Sequence, residues 1–205
     1  MVECIIFDLS EVLIAGLLGV EKRLSSELSL PEEEILPCFM GGVFEELLLG
    51  SITEDSYLRA VLARTGWKID VARLKAAIRH NFHNQVEGTV PILIGLAANY
   101  DLALLSDHAR EWIDYIRSIH PFMHVFSQSY FSYDLKRLKK DPGAFHAVLV
   151  ALSIPPARCL FIDDNPKNVE VAMSVCIPSI RFESAEQLAM ELDGRLSGLG
   201  AEEAR

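Results

Sequence analysis

The chain has 205 residues, half of them apolar and 23% charged, with a formal net charge of −10. That size supports one sizeable core, or a core with a smaller inserted unit, and the acidic balance excludes a surface that tracks nucleic acid, which needs a basic stripe. No run approaches the roughly 18 consecutive apolar residues of a membrane span. The opening Met-Val-Glu-Cys-Ile-Ile-Phe-Asp lacks the basic start and small-residue cleavage site of a signal peptide, so a cytoplasmic location is expected.

The first element is a short apolar run over residues 3–8 that ends on Asp8. Such a run, closed by a polar residue, reads as a fully buried strand of a parallel sheet. A long stretch of helical periodicity without a convincing strand follows, over residues 14–86. Its helix candidates are residues 21–28, 32–39, 53–65 and 71–82, and Thr53-Glu54-Asp55-Ser56 gives the third a capping residue followed by acids that favour the helix dipole. This is too much chain for an ordinary crossover and predicts an inserted all-helical cap. The core is then residues 1–13 plus 87–205.

A helix over residues 90–99, with Pro91 in its first turn, leads into a second apolar run at 102–106, Leu-Ala-Leu-Leu-Ser. A helix at 109–118 comes next, then a weak strand near 124–127. Asp141-Pro142 and Asn165-Pro166 each pair an N-cap with a first-turn proline and open helices over 141–152 and 166–175. Between them lies a third apolar run at 159–163, Cys-Leu-Phe-Ile-Asp, and a weak strand is expected at 178–182. From Gly194 the chain reads as a frayed polar end. Strands alternating with helices give a three-layer α/β fold, a doubly wound parallel sheet of Rossmann type.

The four cysteines, Cys4, Cys38, Cys159 and Cys176, form no C-x-x-C and have no zinc-like histidine spacing, so reduced structural thiols are expected. The one dense basic cluster, Lys136, Arg137, Lys139 and Lys140, can steer a single small anion but is too small to follow a duplex.

In an open parallel sheet, ligands bind at the carboxyl ends of the strands. Three strand ends carry Asp8, Ser106 and the Asp163-Asp164 pair, so these residues converge on one edge. Carboxylates so gathered repel unless a cation lies between them, and an oxygen-only donor set suits Mg²⁺. A cation there neutralises a phosphate and leaves Asp8 free to attack phosphorus. Ser106 is placed to donate to a phosphate oxygen. Lys139 supplies positive charge that keeps Asp8 ionised and binds the transferring group.

Phe7-Asp8-Leu9-Ser10-Glu11-Val12-Leu13, Leu104-Leu105-Ser106, Lys139-Lys140-Asp141-Pro142 and Phe161-Ile162-Asp163-Asp164-Asn165, in this order, resemble the four successive motifs of the haloacid dehalogenase superfamily. The helical insertion resembles the cap that many members carry after the first strand. The resemblance implies an aspartyl-phosphate on Asp8, with Ser106 and Lys139 on the phosphate. It also implies a Mg²⁺ site built from Asp8, the backbone carbonyl of Ser10, Asp163 and Asp164, the inner ligand between the last two being left open. The substrate implied is a small phosphorylated metabolite; oligomeric state is not implied.

The chain departs from the family pattern in three places. Most phosphatases of the family carry an Asp two positions after the nucleophile as general acid and base, and Ser10 stands there instead. Loss of a general acid commonly costs on the order of 10²–10⁴ in rate; some members with sugar-phosphatase activity are similar in lacking it. Glu11 is the candidate substitute acid, against the alternative that it caps a backbone group. Asp107 stands in the phosphate-binding motif where Asn is more usual, and its carboxylate either turns away or pairs with a base such as Arg110. Lys140 stands where proline is common, with Lys139 the expected active lysine.

His80 and His83 read as exposed cap residues, Trp67 and Trp112 as packing residues, and Gly16, Gly19, Gly41 and Gly42 as hinge or turn positions. The expected function is a Mg²⁺-dependent phosphohydrolase. Its alternatives are a binding or regulatory protein that keeps the pocket without turnover, motivated by Ser10 and Asp107, and a metal-free 2-haloacid dehalogenase. Retention of both Asp163 and Asp164 speaks against the last.

Overall fold

The computed structural model describes residues 1–197. Its centre is a five-stranded, all-parallel sheet of order β3-β2-β1-β4-β5. The strands are β1 Cys4–Phe7, β2 Asp101–Ser106, β3 Gln128–Phe131, β4 Cys159–Asp163 and β5 Ser179–Arg181. Side chains alternate across a strand, and here both faces are buried. Ile5, Phe7, Leu104 and Ile162 enter one apolar cluster, while Cys4, Ile6, Leu105 and Phe161 enter the other. That two-sided burial is why these strands read as continuous apolar runs.

Between β1 and β2 lie α1 Val20–Leu28, α2 Glu32–Ile35, α3 Gly42–Leu48, α4 Glu54–Thr65, α5 Val71–Asn81 and α6 Thr89–Leu96. The remaining helices are α7 Arg110–Ile119, α8 Ser132–Leu135, α9 Pro142–Leu152, α10 Pro166–Ser174 and α11 Ala185–Ser197. The expected caps are in place: Thr53, Asp141 and Asn165 accept the backbone N–H of Ser56, Gly143 and Lys167. From α1 to α5 the chain contains no ladder strand among the described residues. It leaves and re-enters the core along two adjacent connectors, which exchange Ala15 N–H to Asn84 O at 2.8 Å and Val86 N–H to Leu13 O at 3.0 Å.

Several boundaries differ from the sequence expectation. Residues 124–127 are not a strand: Pro121 opens a 3-10 turn, Pro121–Val125, that buries Phe122 and Met123, and the strand begins at Gln128. Residues 32–39 split into α2 and a 3-10 turn, Leu36–Phe39, because Pro37 has no N–H to continue the helix. The helix expected over 90–99 ends at Leu96. Gly194 does not begin a frayed end, since α11 continues through it to Ser197; residues 198–205 lie outside the described residues. No helix among the described residues is long and apolar enough to cross a membrane.

Candidate active site

β1 and β4 are neighbours at the point where the strand order reverses, which in a doubly wound sheet opens a crevice. Asp8 follows β1 directly and is pinned there by its N–H to Ile162 O at 2.9 Å. Asp163 is the last residue of β4 and Ser106 the last of β2. Beyond Asp8 the loop tightens, with Glu11 at φ 60°, and it buries Leu9, Val12, Leu13 and Ile14.

Lys139, 2% exposed, reaches in from the segment before α9 and sets its Nζ 2.7 Å from Asp8 Oδ1 and 2.6 Å from Asp163 Oδ2. Burial works against the ammonium, but Asp163, Asp8 and Asp107 outweigh it and raise the Lys139 pKa. Lys140 lies at the cleft edge, where it pairs with Glu45 at 2.5 Å. The two lysines therefore do not share one position.

One oxygen each of Asp8, Asp163 and Asp164 lie within 4.8 Å of one another. Burial, and then the neighbouring Asp163, push the carboxyls of Asp8 and Asp164 upward, with Lys139 opposing. This arrangement fits a hard divalent cation: the donors are all oxygen, they converge, and their mutual repulsion is what such a cation relieves. Asp163 is the most committed of the three. Its oxygens accept Lys139 Nζ, the Asn165 N–H at 2.8 Å and the Asn168 amide at 3.1 and 3.2 Å. Asp164, half-buried, has no such side-chain partner among the described residues and is the better-placed ligand.

Ser106 is 1% exposed and its hydroxyl has no hydrogen-bond partner among the described residues. An orphan buried hydroxyl on the cleft wall fits a phosphate oxygen. Asp107 turns away from the cleft centre: both its oxygens accept the Lys139 N–H at 3.1 Å. Of the two alternatives, the pairing with Arg110 is not formed, since Arg110 pairs with Asp134 at 2.8 Å. The carboxylate holds the lysine segment in place rather than approaching a phosphate.

Glu11 lines the cleft, yet its Oε1 accepts the Gly16 N–H at 2.8 Å, so the backbone-capping alternative describes it. Burial raises its carboxyl. Ser10 Oγ lies 3.3 Å from His108 Nε2. A Cβ on Gly16 would fall 2.9 Å from Ser10 Cβ, which requires glycine at this close approach.

His108 escaped the sequence reading. It is 2% exposed, lines the cleft and packs edge-on against Phe82 and Trp112, with ring centroids 5.6 Å from each. Burial, then the nearby Lys139 charge, push its pKa down to about 3, so it is neutral. The available signal was its place two residues beyond Ser106, on the loop that leaves a catalytic strand end. Trp112 is a packing residue as expected, but it also forms cleft wall. Its indole N–H donates at 2.9 Å to Glu54, a carboxylate 1% exposed that also pairs with Arg79 and Lys75. His80 and His83 are exposed, and Trp67 packs on Phe39.

The cleft above the carboxylates has a volume of about 450 Å³. Its far wall comes from α3, the 3-10 turn before it and the loop into α1, and is largely apolar.

Residues 2–174 match the haloacid dehalogenase-like hydrolase family. Among characterised relatives, the chain is 27% identical over 164 residues to chloroplastic flavin mononucleotide hydrolase 1 of Arabidopsis thaliana, an alignment spanning 80% of this chain and 66% of that one, less than two thirds of the relative's length. It is 23% identical over 158 residues to D-ribitol-5-phosphate phosphatase of Bacteroides thetaiotaomicron, spanning 74% of this chain and 76% of the relative. The fold matches a haloacid dehalogenase family enzyme of the same bacterium, solved with magnesium and inorganic phosphate, at TM-score 0.76 and 21% identity, covering 90% of this chain and 96% of that one. The chain belongs to the haloacid dehalogenase-like hydrolases.

Proposed function

We propose that the protein is a Mg²⁺-dependent phosphatase acting on a small phosphorylated metabolite, with Asp8 as nucleophile. The observation that carries this reading is Lys139, buried between Asp8 and Asp163, beside a hydroxyl, Ser106 Oγ, that has no partner of its own. A carboxylate beside a fixed positive charge, with a waiting donor, is what in-line attack on a phosphate monoester requires. The names of the relatives, a flavin mononucleotide hydrolase and a ribitol-5-phosphate phosphatase, support the same class.

In this reading Asp8, Asp164 and the Ser10 carbonyl would hold Mg²⁺, with Asp163 orienting Lys139 beside them. The ion would supply charge neutralisation for an incoming phosphate. Ser106 and Lys139 bind phosphate oxygens, while Asp107 serves the site by anchoring the Lys139 backbone. The helices of residues 14–86 form a cap over the cleft, carried on the paired connectors. Its closure excludes bulk water from the reacting phosphate.

The test is Mg²⁺-dependent phosphate release from aryl, alkyl and sugar phosphates, with Asp8→Asn as control. Release that is lost in Asp8→Asn and on chelation supports the reading. Mg²⁺ binding without release from any ester favours the second reading, a binding protein, for which Ser10 is the specific observation. Halide release from 2-haloacids without metal would replace both; the three converging carboxylates speak against it.

A further inference from the structure

The shape of the cleft and the chemistry at position 10 bear on one question, the nature of the leaving group. Leu18, Leu36, Met40, Phe44, Phe82 and Trp112 form the wall facing the carboxylates. Leu18 and Met40 remain 56% and 39% exposed. Large apolar side chains at the rim of a cleft leave surface in water that an apolar ligand body would cover. A cleft of about 450 Å³ has room for a body of one or two rings beyond the phosphate.

The polar side chains in the same cleft are mostly engaged. Glu11 takes the Gly16 N–H, Ser10 meets His108, Asn165 caps α10, Asn168 holds Asp163, and Lys140 pairs with Glu45. Lys167, exposed at the mouth, is the cleft lysine without an ion pair among the described residues. A polyol chain laid along this wall would lose water from several hydroxyls and find few partners in exchange, which weakens binding.

Position 10 adds a constraint on reactivity. Ser10 has no proton that it can give to a departing alkoxide at neutral pH, and Glu11 is turned to the backbone. A phenolate, whose conjugate acid ionises near pH ~10, leaves without that proton. An alkoxide, with an acidity closer to that of water at about 15.7, leaves far more slowly without it.

Resting on the phosphatase reading, we propose that the substrate is a phosphate monoester of a phenol, or of a comparably acidic hydroxyl, carried on a flat apolar ring body that lies against Leu18, Met40 and Phe44. A carboxylate oxygen of Asp8 bonds to phosphorus as the bond from phosphorus to the aryl oxygen breaks. The electron pair leaves on the aryl oxygen, which takes its proton from solvent. Water then attacks phosphorus, the aspartyl oxygen–phosphorus bond breaks, and inorganic phosphate departs with Asp8 restored; the proton lost by water goes to solvent or phosphate.

The experiment uses the Mg²⁺-loaded protein with four probes: a series of substituted phenyl phosphates, 2-naphthyl phosphate, 2-phenylethyl phosphate and ribitol 5-phosphate. The 2-phenylethyl ester keeps an apolar ring but has an alkoxide leaving group. The expected kcat/KM for 2-naphthyl phosphate exceeds that of both alkyl esters by about 100-fold, within the range that general acids contribute. Rates across the phenyl series fall steeply with leaving-group pKa. Ser10→Asp raises the ratio of 2-phenylethyl phosphate turnover to 2-naphthyl phosphate turnover by about tenfold or more. Phe44→Ala raises KM for 2-naphthyl phosphate severalfold more than it raises KM for ribitol 5-phosphate. Should Ser10→Asp fail to fold, the wild-type series decides by itself. Hydrolysis of ribitol 5-phosphate as efficient as that of 2-naphthyl phosphate overturns this inference while upholding the phosphatase. No phosphate release from any probe overturns both.

Discussion

Asp163 holds the Lys139 ammonium at 2.6 Å, while its neighbour Asp164 has no side-chain donor among the described residues. Adjacent in sequence, the two carboxylates therefore have different work: one keeps the lysine in place, the other is available to a cation. Asp164→Asn is expected to lower Mg²⁺ affinity by at least tenfold while leaving the metal-free protein as stable as wild type or slightly more so, since it removes a like charge from a buried cluster. Asp163→Asn is expected to destabilise the metal-free protein, because Lys139 loses a buried partner. Mg²⁺ titration by calorimetry and urea unfolding without metal separate the two variants. Equal effects of both substitutions on both readouts would contradict the division.

Lys139→Met tests the same cluster from the cationic side. Removing one partner of a buried ion pair costs about 3–5 kcal/mol, and here Asp8 and Asp163 would both be left facing each other. Unfolding in urea at pH 7 should register a loss in that range. Mg²⁺ should recover part of it, because an added cation substitutes for the missing ammonium. At a hundred times its dissociation constant, a bound ion contributes about 2.7 kcal/mol.

His108 predicts a pH dependence of stability. Burial and Lys139 lower its folded-state pKa to about 3 from an ordinary 6.5. Between those values the unfolded chain binds the proton and the folded chain does not, so stability rises with pH across that window and is lost as pH falls. The slope approaches about 1.4 kcal/mol per pH unit well inside the window. His108→Gln should flatten the change in unfolding free energy between pH 6.5 and 5 by roughly that amount. An unchanged slope would mean that the imidazole protonates in place.

Trp112 and Glu54 join α7, which walls the cleft, to α4. Trp112→Phe removes the 2.9 Å bond from the indole to a carboxylate that is 1% exposed. Hydrogen bonds to charged groups contribute about 1.5–3 kcal/mol, so a loss of that size is expected in thermal unfolding. KM should also rise through a displaced cleft wall.

Much of this was legible in the sequence because a parallel sheet turns strand ends into one locus. Asp8, Ser106 and Asp163 needed only three apolar runs, each closed by a polar residue, to be brought together. The helix starts at Thr53, Asp141 and Asn165 were legible for an equally local reason, a capping side chain before a run of helix formers. What escaped depends on contacts across the fold. β3 pairs with β2 alone among the described residues, and of its four residues only Phe131 is buried, so it carries little strand pattern, while the stronger apolar signal of Phe122 and Met123 belongs to a 3-10 turn. α3 starts at Gly41-Gly42, a poor helix sequence, and is held where Phe44 packs on Tyr57 and Trp112. Asp107 found its partner in the backbone of Lys139, 32 positions away, and Arg110 found Asp134. No spacing rule announces either pair.

The central claim is that Asp8 becomes phosphorylated during turnover. The most direct measurement is rapid mixing of the Mg²⁺-loaded protein with 2-naphthyl phosphate, acid quench, and mass spectrometry of the digested chain. A hydroxylamine-labile phosphoryl adduct is expected on the peptide containing Asp8, and none in Asp8→Asn. The adduct should accumulate, because Ser10 provides no base for the attacking water. Phosphate release without any adduct on that peptide, or equal release by Asp8→Asn, would contradict it.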